Sequence, residues 1–141
     1  MIILNVEING LIKFLMDIEL SGKQSRMRTR FCKLIGERLK EIEEERFKLI
    51  DKYVKKDEEG NFLTKEKNGI QIYDIENIES FNKEYEELMR EELVIDETNE
   101  RKEMLLTVRD ILLNTEQTFK GQDAMNYDRY CEIFENLQYN N

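Results

Sequence analysis

From Gln24 to Tyr53 the chain runs thirty residues with its apolar side chains returning every three or four positions and no proline to interrupt them. Met27, Phe31, Leu34, Ile35, Ile42, Leu49 and Tyr53 form one broad stripe, and Phe47, Ile50 and Val54 widen its far end. That period belongs to a helix. At about 1.5 Å per residue the run makes a rod of roughly 45 Å. A single domain of 141 residues is expected to fall short of covering such a rod. Its far end is therefore expected to pack against a second copy of the chain or another partner, which makes a homo-oligomer the expected assembly.

The remaining segments point to a mostly α fold of α+β character: one long amphipathic helix, shorter helices and a small antiparallel hairpin or sheet. Ile2, Leu4 and Val6 alternate with Ile3, Asn5 and Glu7 as in a short strand. Ile8, Leu11, Ile12, Leu15 and Ile18 then fall at helical spacing up to Ser21-Gly22. After the long helix, Asp57-Glu58-Glu59-Gly60-Asn61 breaks the pattern, and Asn68-Gly69 predicts a hairpin because both turn positions need positive φ. Ile78, Phe81, Tyr85 and Leu88 mark a third helix, Leu93-Val94-Ile95 a short strand, and Met104 to Leu112 a fourth helix. Asp123 reads as the N-cap of a last helix whose inner face is Tyr127, Cys131, Phe134 and Leu137. No repeat, linker or low-complexity tract divides residues 1–141, so a single domain is expected.

The chemical inventory is narrow. With no histidine anywhere, imidazole acid–base catalysis, Ser-His-Asp triads and His-ligated metal sites drop out. Cys32 and Cys131 stand alone at apolar helical positions, which predicts buried reduced thiols. No catalytic residue, metal site or cofactor is expected. The opening Met-Ile-Ile-Leu-Asn-Val-Glu lacks a basic start and a long apolar run, so a cytoplasmic protein without a membrane partner is expected.

Against a net charge of −9, residues 22–33 hold Lys23, Arg26, Arg28, Arg30 and Lys33 with no acid among them. On a helical wheel Arg30 lies about 40° from Arg26, Lys33 about 20° on its other side, and Lys23 about 60° away. These four share a face, and Ser25 adds a hydroxyl beside them. Arg28 lands about 200° from Arg26, at the edge of the apolar stripe. There it is expected to be partly buried and paired with a carboxylate or a bound anion. The cluster also sits at a helix N-terminus, where free N–H groups already favour negative charge and cations oppose the dipole. An external anion would relieve both. The competing reading is that these cations pair with the protein's own acids, since residues 74–103 carry twelve carboxylates against four basic side chains.

Other motifs fail on inspection. Gly22-Lys23 resembles the end of a P-loop, but Asp17 and Gln24 stand where glycine and a hydroxyl residue are needed. The i,i+4 pairs Glu41/Glu45 and Glu87/Glu91 lack the histidines of a di-metal bundle. Asp96-Glu97-Thr98-Asn99-Glu100 begins like a calcium loop but has Arg101 where glycine is required. Tyr127, Tyr130, Phe134 and Tyr139 crowd the last helix. Tyr130 and Tyr139 fall off its main stripe, so the group is read as core, subunit contact or a surface for stacking a base.

Taken together, Gly22-Lys-x-Ser25-Arg26-x-Arg28-x-Arg30, the break at Asp57-Glu-Glu-Gly60-Asn61, Val94-Ile95 after an acidic helix, and Gly121-x-Asp123-Ala124 before Tyr127-Asp128 resemble a known pattern. It is that of a family of small proteins, a domain of unknown function, encoded by phages and prophages of low-GC Gram-positive bacteria. The resemblance implies a phage context and carries no activity with it. The function expected is a non-enzymatic counter-defence protein that grips a phosphate-bearing ligand, such as a nucleotide immune signal, through its arginines. The alternatives are an accessory protein of virion assembly, or a direct inhibitor of a host defence nuclease. No nucleic-acid partner is expected.

Overall fold

The computed structural model describes residues 1–139, which form five helices and four strands gathered into two compact units. One unit comprises Met1–Leu39 together with the chain from Glu92 onward, and the other comprises Lys40–Glu91. The mostly α fold with α+β character matches the expectation. Among the described residues no helix is long and apolar enough to cross a membrane.

In the first unit, β1 (Ile2–Leu4) pairs antiparallel with β4 (Glu92–Val94), placing Ile3 opposite Leu93. Ile3 is buried while Ile2 is half exposed, as strand alternation requires. The strand ends at Leu4, short of the expected Val6, because α1 (Asn5–Met16) begins at once. Glu7 Oε1 accepts the Leu4 N–H at 3.0 Å, and the buried Asn5 side chain accepts from Arg38 Nε at 3.1 Å. Those two bonds satisfy polar groups at the helix start. Val6 is left 57 % exposed on the helix surface.

Ile8, Leu11 and Leu15 of α1 meet Met27, Phe31 and Ile35 from the first half of α2 (Gly22–Tyr53) in one apolar core. Leu105, Val108 and Leu112 of α4 (Lys102–Leu113) and Ile133 and Phe134 of α5 (Gly121–Glu135) complete it. At its centre Phe31 meets Phe134 edge-on, 5.2 Å between ring centres. Burial of each ring contributes about 1.5–3 kcal/mol. Both cysteines are free and buried. α5 starts two residues before the expected Asp123 cap: extended Lys120 precedes it, Gly121 takes φ +59°, and Asp123 lies in the first turn. A carboxylate there still favours the helix dipole.

In the second unit the later half of α2 carries Ile42 and Ile50 into a smaller core with Val54 and Leu88. The hairpin is β2 (Thr64–Lys67) and β3 (Ile70–Tyr73), turning through Asn68 at φ +53° and Gly69 at φ +79°. α3 (Ile78–Arg90) is capped by Asn77, whose side chain accepts the Ser80 N–H at 3.1 Å. Tyr53 meets Phe81 edge-on at 6.3 Å, Val54 bridges to Ile75, and Lys52 pairs with Glu84 at 2.9 Å. The end of the rod thus meets Ile75 and residues of α3 from the same chain, while Phe47 on the rod stays half exposed. α3, which the length of the rod alone does not reveal, supplies part of its cover.

Candidate functional site

Gly22, at φ +56°, turns the chain into α2, and the basic segment follows within the first three turns. Arg28 departs from expectation. It is buried, and its Nη1 donates to two main-chain carbonyls, that of Leu15 in the last turn of α1 and that of Ile18 just beyond it, each at 2.7 Å. Its Nη2 lies 3.5 Å from Ser25 Oγ. The partner is therefore the negative end of a helix, where orphan carbonyls need donors, and not a carboxylate or an anion. The Arg28 fork is thus occupied by main-chain carbonyls, with the half-buried Ser25 beside it.

Lys23, Arg26, Arg30 and Lys33 are exposed on one face. Lys23 pairs with Glu103 in the first turn of α4, both side chains being more than half exposed. The hydrogen bond from Lys23 is the chief reason that the Glu103 carboxyl is held below its ordinary range, with the charges of Arg26 and Arg30 adding to it. Arg26, Arg30 and Lys33 have no ion-pair partner within 4 Å among the described residues. One carboxylate thus serves three cations, and the face keeps a positive excess in an acidic protein.

The aromatic group divides. Phe134 is core. Tyr127 donates to the Leu112 carbonyl at 2.5 Å and stacks on Phe119 with 4.3 Å between ring centres. Burial pushes its phenol up to about 12. Tyr139, read as off-stripe, donates to the Thr98 carbonyl at 2.6 Å. Tyr130, also placed off the stripe, is buried with its ring 5.6 Å from Phe14. It lines a cleft of about 520 Å³ between α1, the 114–120 segment and α5, together with Phe14, Phe119 and the polar residues Lys13, Asp17 and Asp123. Of these, only Tyr130 is a candidate ligand contact on the sequence alone. Phe119, an isolated aromatic in an otherwise polar loop, was the available signal.

A family model described as "Protein of unknown function (DUF1617)" matches residues 1–140. The chain belongs to the DUF1617 family. No curated protein and no solved structure matches it. The DUF1617 assignment agrees with the resemblance to a domain of unknown function and brings no activity with it. In this DUF1617 chain no group of three or more Cys, Asp or Glu side chains is gathered for a metal ion among the described residues. The acidic i,i+4 pairs remain helix-surface features.

Proposed function

We propose that this DUF1617 protein is a non-enzymatic binding protein that captures a phosphate-bearing ligand on the exposed face of Lys23, Arg26, Arg30 and Lys33. A nucleotide is the leading ligand class. In the setting implied by the sequence resemblance, a phage or prophage in a bacterial cell, it would sequester a nucleotide immune signal in the host cytoplasm rather than cleave it.

One observation carries the reading: Arg26, Arg30 and Lys33 lie exposed on one helix face without ion-pair partners among the described residues, next to Lys23, in a chain of net charge −9. Unbalanced like charges at a helix N-terminus repel one another and oppose the dipole, and a phosphate placed there answers both. Guanidinium groups take phosphate oxygens two at a time. The absence of histidine supports binding without turnover.

Calorimetry with ATP, a cyclic dinucleotide and inorganic pyrophosphate tests it. Arg26→Glu together with Arg30→Glu should abolish binding while leaving the helical circular dichroism intact. Glu103→Gln, which removes the competing carboxylate, should tighten binding two- to threefold at low salt and lose that advantage at high salt. Binding unchanged by the double substitution overturns the proposal. So does a stable complex with a virion or host protein in cells together with no nucleotide affinity.

A further inference from the structure

We infer that the cleft between α1 and α5 is a second binding site, one that takes an amino-bearing nucleoside of the adenosine class. It shares no residue with the basic face of α2. Its volume of about 520 Å³ lies within the roughly 300–1,000 Å³ of small-molecule sites.

The decisive group is Tyr130. The residue is 8 % exposed, and its hydroxyl has no hydrogen-bond partner among the described residues. The ring lies across Gly10, which lines the same cleft, so closely that a Cβ on that residue would sit 2.6 Å from the hydroxyl oxygen. A hydroxyl can donate one hydrogen bond and accept others, so this one is available to a ligand that enters the cleft. Phe14 and Phe119 supply an apolar wall beside it, suited to a flat ring.

The polar lining selects the ring. Asp17 and Asp123 are acceptors only, and Lys13 is the one base among the lining residues. The cleft is therefore unfavourable to phosphate and favourable to an uncharged ligand with donors. Asn126 Oδ1 accepts from Gln122 Nε2 at 2.9 Å, which leaves the Asn126 amino group as a donor. A 6-aminopurine presents an amino N–H beside a ring-nitrogen acceptor. One carboxylate takes the first and Asn126 serves the second. The ribose hydroxyls provide donors for the other carboxylate. Uracil places a carbonyl where adenine has its amino group and would turn an acceptor toward the acids.

The test is an NMR titration of the full ¹⁵N-labelled chain with adenosine, reading amides of Phe14, Phe119 and Tyr130. Saturable shifts confined to the cleft are expected at millimolar or lower concentration, with uridine at least about tenfold weaker. Tyr130→Phe keeps the ring and removes the hydroxyl, and should weaken adenosine about tenfold. Asp17→Asn, at an exposed position, should weaken it severalfold and serves if the tyrosine variant does not fold. Arg26→Glu with Arg30→Glu should leave adenosine affinity within twofold, and inorganic phosphate should not compete, so failure of the basic-face reading is seen separately. No saturable shift in the cleft, equal affinity for uridine, or a folded Tyr130→Phe that binds as tightly as the parent overturns the inference.

Discussion

The Arg28 guanidinium closes on the main-chain carbonyl of Leu15 at 2.7 Å, so that a side chain from the second turn of α2 finishes the last turn of α1. The same Nη1 reaches the Ile18 carbonyl, and only its Nε lacks a partner among buried side-chain nitrogens and oxygens of the described residues. Removing the guanidinium takes the 2.7 Å donor from the Ile18 carbonyl and leaves the Leu15 carbonyl with the longer 3.3 Å bond from the Ile18 N–H. Arg28→Met is expected to destabilise by about 2–4 kcal/mol, read as a lower urea midpoint with an unchanged slope. Arg28→Lys should recover part of that, because one ammonium holds the charge but not the fork. A loss below about 0.5 kcal/mol would place Arg28 outside the framework.

Glu7 and Arg129 make a two-pronged ion pair in the first unit, Nε to Oε2 at 2.6 Å and Nη2 to Oε1 at 3.1 Å. Burial works to raise the Glu7 carboxyl. The Arg129 hydrogen bond, the Leu4 N–H and the Arg129 charge outweigh it and hold the group below its ordinary 4.5. A carboxylate depressed in the folded state stabilises above its unfolded value and loses that contribution as the pH falls through the folded one. Stability should therefore decline on acidification from about pH 4.5 downward. Glu7→Gln should cost about 1–2 kcal/mol at pH 7 and flatten the acid limb of thermal unfolding followed against pH. An unchanged acid limb in Glu7→Gln would remove this pair from the account.

Much of the fold was legible because the signals were local. Asn68-Gly69 announced the hairpin, the stripe from Met27 to Tyr53 announced α2, and Cys32 and Cys131 sat where a helical face turns inward. What escaped was pairing over distance. A wheel puts Arg28 at the edge of the core, but its angle cannot distinguish a carboxylate from the carbonyls of Leu15 and Ile18. The cover of the rod's far end was missed for a similar reason: Phe81 and Ile75 are recognisable as apolar, while their partners Tyr53 and Val54 lie 28 and 21 residues earlier. The cleft gathers Phe14, Phe119 and Tyr130 from three separate segments, so no window of the sequence contains it.

Cys32 is held neutral. Burial pushes its thiol up to about 11 despite the opposing Arg28 charge, and burial raises Cys131 as well. Thiolates are the reactive form, so both should resist iodoacetamide at pH 8 in the native protein. Labelling should accelerate sharply across the urea transition, with both sites appearing together by mass spectrometry. Rapid native labelling of either one would contradict the burial seen around it.

Gly10 and Tyr130 define a steric pair that can be tested by a double-mutant cycle. Gly10 sits inside α1, where alanine would ordinarily be favoured by about 1 kcal/mol. Here an added Cβ would meet the Tyr130 hydroxyl at 2.6 Å, whereas the ring carbon carrying that oxygen lies at 3.8 Å, ordinary contact. Gly10→Ala alone must therefore shift a buried ring away from Phe14 and is expected to cost about 1–3 kcal/mol. In a Tyr130→Phe background the obstructing atom is gone, and the same change should become neutral or stabilising as helix propensity takes over. Opposite signs in the two backgrounds, with a coupling of about 1–3 kcal/mol by chemical denaturation, are the expected outcome. Additive effects would mean that the tyrosine oxygen does not lie against Gly10, and the packing of α5 on α1 would need to be redrawn.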